Sequence, residues 1–119
     1  MCGLFGYQVP DSNPLTTPEI TVMSYILGWG SEQRGKHSCG FAGWQPDGTV
    51  LLRKEDDEFT SSGLTKDLDK CRNLIGHTRY ATVGAHTAEN AHPFHYKHII
   101  GAHNGGIYNH RELEATYKE

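Results

Sequence analysis

Short apolar runs separated by turn sequences recur along the chain, and this pattern predicts several β-strands. Residues 4–9 form the first run, and the DSNP stretch after Pro10 closes it in a loop. Residues 40–44 and 49–53 flank QPDG, a turn sequence typical of a β-hairpin. In the second half, LIGHTRYAT and HIIGAHNGG are two further strand-like segments, and each ends in polar and glycine residues.

Helical signals occur between these strands. TTPE at residues 16–19 combines a hydroxyl cap, a proline suited to a first turn and an acidic side chain near the positive helix end. Gly28 and Gly30 mark the predicted end of this helix. Its apolar stripe is predicted to contain Ile20, Met23, Ile26 and Leu27.

Two more helices are predicted, a short one near residues 64–71 and a last one from about Asn109 to the end of the chain. Strands dominate and the helices lie outside them, so the pattern predicts an α+β layered domain. The chemistry is expected where the two polar strand-like segments end.

Composition restricts the function classes. The 119 residues predict one small domain, and a net charge of -3, from 11 basic and 14 acidic residues, gives no electrostatic reason to expect a nucleic-acid or membrane partner. The start has no basic segment followed by a long apolar run, and no apolar run approaches the ~18 residues of a membrane span. We therefore expect a soluble, cytoplasmic protein. Three cysteines at unrelated spacings argue against a disulfide framework.

The second residue is a candidate nucleophile. If Met1 is removed, Cys2 carries a thiol and a free α-amine on one residue. An α-amine, with an ordinary pKa of ~8, can accept the thiol proton directly or through a water, so no separate histidine is needed. The alternative is that Cys2 is a buried small apolar residue, and the three letters MCG do not decide between the two.

Two downstream segments contain groups that such a nucleophile needs. In HNGG, the Asn104 side-chain N–H and the Gly105 backbone N–H form a candidate donor pair for an oxyanion, although Asn-Gly is equally a hairpin turn signal. Arg79 ends an apolar strand, and its planar fork suits either a substrate carboxylate or a surface ion pair. His77 is expected to be a hydrogen-bonded core residue rather than an acid or base.

A metal site is the weaker alternative. Its candidate ligands are His92, His95 and His98, with His86 and His103 nearby. Zinc accepts such ligands, but this spacing on strands and loops does not ensure that they converge. No CxxC spacing exists, so Cys39 and Cys71 are expected to pack in the core. We therefore expect neither a metal nor a cofactor.

Five sequence blocks together resemble the class II glutamine amidotransferase domain, a member of the N-terminal nucleophile hydrolases. They occur in the family's order and extend over nearly the whole chain. The blocks are Cys2-Gly3 with Phe5-Gly6, RGKHSCG at 34–40, GHTRYATVG at 76–84, NAHPF at 90–94 and HNGGIYNH at 103–110. They are most similar to the glutaminase domain of glucosamine-6-phosphate synthase and next to the amidophosphoribosyltransferase domain.

The resemblance implies a four-layer αββα sandwich, loss of Met1, and hydrolysis of the glutamine side-chain amide through a cysteine thioester. Ammonia would pass to a synthase on a separate domain or subunit. The resemblance makes Cys2 the nucleophile, Asn104 and Gly105 the oxyanion donors, Arg79 the partner of the glutamine α-carboxylate and Thr82 a further substrate-binding residue.

Some positions depart from the family pattern. Lys36-His37 replaces the residues usual in its block, which leaves that block's loop contact open. The family aspartate that binds the glutamine α-amine would fall after Glu119, so we expect residues 1–119 to be a glutaminase domain that is incomplete at its C-terminus, or one completed by a second chain. The alternative function is a non-catalytic remnant or a regulatory glutamine-binding module.

Overall fold

The computed structural model describes residues 1–12, 14–81 and 87–117. In these ranges the chain forms two antiparallel β-sheets, two α-helices and two short 3-10 helices. The strands are β1 (Gly3–Gln8), β2 (Ser38–Trp44), β3 (Val50–Glu55), β4 (Asn73–Arg79), β5 (Phe94–Tyr96) and β6 (Ile99–Gly101), the helices are α1 (Thr17–Glu32) and α2 (His110–Thr116), and the 3-10 helices are Gly63–Lys66 and Ala88–Asn90. Within the described ranges, neither α-helix is long and apolar enough to cross a bilayer.

The larger sheet has the strand order β1-β4-β2-β3, and each neighbouring pair is antiparallel. Central β4 pairs Thr78 with Gly3 on one side and with Cys39 on the other. Because Cys2 directly precedes β1 and Arg79 ends β4, this register brings the start of the chain beside the end of a strand more than seventy residues later.

The two faces of this sheet are covered by different elements. Helix α1 lies on one face, where the Thr78 hydroxyl donates a hydrogen bond of 2.7 Å to the Ser31 carbonyl. The segment that enters the β5–β6 hairpin lies on the other face. There it comes so close that a Cβ on Gly40 would be 2.2 Å from the His92 carbonyl oxygen. This helix–sheet–hairpin order confirms the predicted α+β class, whereas the four-layer sandwich stays a prediction.

The core lies between the large sheet, α1 and the 59–71 segment. Phe59 is fully buried and packs edge-on against Phe5, with ring centroids 5.7 Å apart. Cys39 and Cys71 are fully buried in the same cluster, as expected from the sequence. The other members are Phe41, Leu51, Leu64, Leu68 and Leu74.

Helix α1 begins as predicted but ends later. The Thr16 hydroxyl accepts from the Glu19 N–H at 3.4 Å and the Glu19 carboxylate accepts from the Thr16 N–H at 2.8 Å, which completes a capping box. The predicted end at Gly28 and Gly30 is wrong, because the helix continues to Glu32. The role of Gly28 is close packing, since a Cβ there would lie 2.2 Å from the Phe59 ring.

The predicted apolar stripe of α1 is also wrong in part. Ile20 is buried, but Ile26 is 56% exposed. The buried face contains Ser24 and Gly28 together with Ile20. These small residues let the helix backbone approach the sheet, a reason for burial that hydrophobic spacing alone does not reveal.

The helix predicted near residues 64–71 is limited to the one 3-10 turn of Gly63–Lys66. The Tyr7 hydroxyl contacts the carbonyl oxygens of Leu68 and Cys71 at 3.3 and 3.0 Å. These carbonyls thus accept from a side chain of β1 instead of from backbone N–H groups of a further helical turn.

The segment predicted as one strand in HIIGAHNGG contains only the three residues of β6. It pairs with β5, which the sequence pattern did not predict, through a turn in which Lys97 has a positive φ of 53°. The first strand, the hairpin around QPDG and the start of the last helix at Asn109 are confirmed.

Gly28 and Gly30 provide a matched test of the α1 packing. Replacing Gly28 with Ala should destabilise the protein by about 1–3 kcal/mol, because the new methyl group overlaps the Phe59 ring. Replacing Gly30 with Ala should stabilise it by about 0.5–1 kcal/mol, since a Cβ there meets no described atom within 4 Å and alanine favours a helix. Urea unfolding of both variants measures the difference, and equal effects would contradict this packing.

His77 on β4 makes stability depend on pH. Its side chain is fully buried, which confirms the expected core position, and the His103 backbone lies close to its ring. Burial, followed by the nearby His92, lowers the pKa of His77 from 6.5 to about 4, and the His103 backbone opposes this shift only in part.

The His77 ring takes up a proton near pH 6.5 in the unfolded chain but only near pH 4 in the folded chain. Its contribution to the free energy of unfolding is therefore fully present above pH 6.5 and is lost as the pH falls from 6.5 to 4. The expected loss from this residue is about 3 kcal/mol. Denaturant unfolding at pH 7 and pH 4.5 should show a smaller loss for His77→Leu than for the unchanged protein. An identical pH dependence would contradict the burial of a neutral imidazole.

Candidate active site

Three residues that the sequence predicts to act together line one cleft, which lies where β1 begins and β4 ends. Cys2, Arg79 and Gly105 all contribute to its wall, and its volume is about 540 Å³. His77, His92 and His103 line the same cleft. Residues from three distant parts of the sequence thus meet in a volume suited to a small molecule.

The Cys2 thiol is half-buried at the cleft wall, and backbone groups hold it there. The Tyr80 N–H donates to the Cys2 sulfur at 3.3 Å, and the thiol lies 3.6 Å from the Tyr80 carbonyl oxygen. Arg34 Nε donates to the Cys2 carbonyl at 3.1 Å, which fixes the main chain at this residue. These contacts fix both the sulfur and the main chain of Cys2 beside the end of β4.

The other two thiols have a different environment. Burial raises the pKa of Cys39 to about 12 and that of Cys71 to about 11, so both stay protonated at neutral pH. Cys2 is the cysteine that faces the cleft. The reading of Cys2 as a fully buried apolar residue is therefore wrong.

His37 supports the backbone that contacts Cys2. Its N–H donates to the Arg79 carbonyl at 2.9 Å, and its Nδ1 accepts from the Ala81 N–H at 2.8 Å. Its ring stacks on the Tyr80 ring, with centroids 4.8 Å apart. The loop contact that Lys36-His37 left open is thus a contact with the end of β4. Sequence reasoning assigned no role to Tyr80 or His37, and only their places in two quoted blocks indicated them.

Arg79 is the last residue of β4 and only 8% exposed, although it lines the cleft. This burial argues against the surface ion pair that the sequence left open. A buried guanidinium is retained where acceptors surround it, and its planar donors match a carboxylate in two places at once. Arg79 therefore gives the cleft a fixed positive charge beside Cys2.

Asn104 and Gly105 lie in the connection between β6 and α2. Gly105 lines the cleft and has a φ of 150°, a backbone conformation that favours glycine. Asn104 is exposed and adjacent, but its side chain is not part of the cleft wall as the structure describes it. Thr82 and His86 lie outside the described residues.

Two stacked imidazoles form a part of the site that sequence reasoning missed. The rings of His77 and His92 are nearly parallel, at 17°, with centroids 4.2 Å apart. Burial lowers the pKa of both groups, and the charge of Arg79 acts in the same direction on His92. Both rings are therefore neutral at pH 7, and the stack contributes no charge to the cleft.

The proposed metal ligands do not converge where the structure can be examined. In the described part of the chain, no group of three histidine, cysteine, aspartate or glutamate side chains is placed to hold a metal ion. His95 Nε2 instead lies 2.7 Å from the Lys97 carbonyl oxygen. His92 is engaged through its Nδ1 with the His103 N–H at 3.0 Å.

Comparison with known proteins gives relatives along almost the entire sequence. The chain is 39% identical over 120 residues to glutamine–fructose-6-phosphate aminotransferase (isomerizing) of Methanococcus maripaludis, which covers 96% of this chain and 18% of that protein. It is 33% identical over 123 residues to the Staphylococcus epidermidis protein of the same name, with 98% and 19% covered. It is 32% identical over 124 residues to amidophosphoribosyltransferase of Archaeoglobus fulgidus, with 95% and 24% covered.

The chain thus spans about a fifth of the length of these relatives. Residues 1–118 match the profile of the family described as glutamine amidotransferases class-II. The family match and the relatives agree with the five blocks in the sequence and with the mixed α/β architecture. The chain therefore belongs to the class II glutamine amidotransferases, which are N-terminal nucleophile hydrolases.

Proposed function

We propose that residues 1–119 carry a glutaminase activity, the hydrolysis of the glutamine side-chain amide to glutamate and ammonia through a thioester on Cys2. The observation that carries this proposal is the single cleft shared by Cys2, Arg79 and Gly105. Its volume of about 540 Å³ is large enough for one amino acid. The residues offer a nucleophile, a carboxylate-binding cation and an oxyanion donor, which together match an α-amino acid bearing an amide.

The first step needs removal of Met1, because the Cys2 nitrogen is an amide while Met1 is attached. The freed α-amine takes the thiol proton, and the sulfur forms a bond to the amide carbon of glutamine. The carbonyl oxygen becomes an oxyanion and accepts from the Asn104 side-chain N–H and the Gly105 backbone N–H. One such donor contributes ~10²–10³ in rate.

The second step releases ammonia. The carbon–nitrogen bond breaks as the Cys2 α-ammonium gives its proton to the leaving nitrogen, and a thioester remains. The amine then takes a proton from water, whose oxygen attacks the thioester carbon, and glutamate leaves as the sulfur regains a proton. One water is consumed for each glutamine, and no cofactor is needed. The Tyr80 N–H stabilises the sulfur whenever it carries negative charge.

Substrate orientation is the role of Arg79 and Thr82. The Arg79 fork pairs with the glutamine α-carboxylate and so holds the amide end toward Cys2, while Thr82 adds a further contact. Fixing the substrate in this way raises the rate by positioning rather than by chemistry.

The proposal extends to the destination of the ammonia. The relatives are named as an aminotransferase of fructose 6-phosphate and as an amidophosphoribosyltransferase. By analogy, the ammonia is used by a synthase active site outside residues 1–119, on another domain, subunit or complementing chain. Residues 1–119 are then a glutaminase domain of the αββα class whose remaining substrate contacts come from outside these residues. The free thiols of Cys2, Cys39 and Cys71 fit a reducing compartment such as the cytoplasm.

The first prediction concerns covalent labelling. Incubation at pH 8 with 6-diazo-5-oxo-L-norleucine, a diazoketone analogue of glutamine, should give one adduct per chain on Cys2, found by intact mass and peptide mapping. Cys39 and Cys71 should stay unlabelled, because both are fully buried and burial raises the pKa of each thiol well above that pH. Molecules that retain Met1 should not react in this way.

Matched variants test the assignment. Cys2→Ala should abolish the adduct and Cys71→Ala should leave it unchanged. If Met1-free protein binds glutamine but forms no adduct on Cys2, the catalytic proposal is wrong and the non-catalytic glutamine-binding module takes its place.

The second prediction concerns Arg79. Arg79→Lys keeps the charge but loses the paired donors, so KM for glutamine should rise about 10–100-fold, the equivalent of a lost charge-assisted hydrogen bond of about 1.5–3 kcal/mol. A coupled assay of glutamate release measures KM, and kcat should change much less. Arg72→Lys is the control, because Arg72 directly precedes the first residue of β4, at the end of the strand away from Arg79. It should change neither KM nor kcat. An unchanged KM in Arg79→Lys would remove Arg79 from substrate binding.

A further inference from the structure

The connection from β6 to α2 contains the proposed oxyanion donors and has little support of its own. Residues 102–109 form neither strand nor helix, and residues 103–108 are exposed. Among the residues that the structure describes, the His103 N–H donates to His92 Nδ1 at 3.0 Å, and the His103 backbone also lies close to the buried His77 ring. The residue directly before Asn104 and Gly105 is thus held against the histidine pair.

The ring that accepts this bond has two aromatic neighbours. His77 stacks on it, with centroids 4.2 Å apart at 17°, and Phe94 packs against it at 4.6 Å and 53°. His77 belongs to a central strand of the sheet and is fully buried. The His92 ring is thus packed against the buried centre of the sheet.

The bond also requires one protonation state. Nδ1 accepts a hydrogen bond only when it carries no proton, so the ring is neutral with its hydrogen on Nε2. The charged and titratable groups around His92 come from three elements. Arg79 and His77 come from β4, Lys54 comes from β3 with its ammonium 4.2 Å from the Phe94 centroid, and His103 comes from the β6–α2 connection. Burial and the charges of Arg79, Lys54 and His103 all lower the pKa of His92, which maintains the accepting form.

We propose that His92 is a positioning residue of the glutaminase reaction, which holds the His103–Gly105 backbone in place through the bond from the His103 N–H to its Nδ1. This inference rests on the proposed function, because an oxyanion forms only if Cys2 attacks an amide. His92 does not exchange protons with the substrate in this role. Its contribution appears in the transition state, where the oxyanion donors act, and not in the binding of the glutamine carboxylate.

Two substitutions at His92 separate its contacts. His92→Phe keeps an aromatic ring in contact with His77 and Phe94 but removes the acceptor. His92→Asn loses the ring but places a carbonyl oxygen about where Nδ1 lies, so the His103 N–H keeps a partner. His98→Phe is the matched control, because His98 is an exposed histidine in the turn between β5 and β6.

In Met1-free protein, kcat for glutamine should fall about 10–100-fold in His92→Phe with KM within about threefold, and His92→Asn should recover most of kcat. His98→Phe should match the unchanged protein. A merely structural loss would lower the melting temperature and alter both constants in both His92 variants. Equal kcat in His92→Phe and the unchanged protein would overturn the inference.

Amide hydrogen exchange at His103 gives a second readout that does not depend on activity. The His103 amide should exchange at least tenfold faster in His92→Phe than in the unchanged protein and in His92→Asn. If exchange follows this order but no variant or unchanged protein hydrolyses glutamine, the anchor exists and the proposed function is wrong. If the unchanged protein is active and His103 exchange is the same in all variants, the glutaminase stands and the role of His92 is wrong.

Discussion

Antiparallel pairing of β1 with β4 is the constraint on which the site depends. It sets Gly3 opposite Thr78, and so it places Cys2 beside Arg79 and Tyr80. A shift of one residue in this register would turn every side chain of β1 to the other face of the sheet. The partners of β1 on the core face exclude such a shift, since Phe5 packs on Phe59 and the Tyr7 hydroxyl contacts the carbonyls of Leu68 and Cys71. Core packing thus determines the position of Cys2, the proposed nucleophile.

The second constraint is close approach between layers. Small residues on α1 bring its backbone to the sheet, and Gly28 leaves the space that the Phe59 ring occupies. On the opposite face, the fully buried His77 ring stacks on the His92 ring. Burial of this polar ring costs folding free energy, but the ring packs against the imidazole that accepts from the His103 N–H. His77 therefore affects both the stability of the protein and the geometry of the cleft.

The sequence predicts local features of this molecule well, because they depend on neighbouring residues. The Thr16 capping box, the hairpin around QPDG and the first strand need only short-range chemistry. Prediction fails where a tertiary contact decides the outcome. Gly28 looks like a helix end and is a packing site. Leu64 and Leu68 have helical spacing, but the only helical turn that the structure describes there is the 3-10 turn of Gly63–Lys66, which contains Leu64 and ends before Leu68.

The same division applies to the site. Cys2, Arg79 and Gly105 are found from residue chemistry and meet in one cleft. The roles of Tyr80 and His37 could not be found that way, because their contacts are made by backbone atoms that any residue type offers. The histidine stack is equally invisible in the sequence, since His77 and His92 are fifteen residues apart and meet only when the hairpin segment folds over the sheet.

The contact between the Tyr80 N–H and the Cys2 sulfur has a consequence for maturation. It is made while Met1 is still attached, and it involves no atom of the Cys2 amino group. In the proposed mechanism, removal of Met1 therefore does not need to rearrange the Cys2 thiol. A chain that retains Met1 is then a latent form with the thiol already in place, and proteolysis supplies the missing base. Activation would then be a change in one functional group, without a conformational transition.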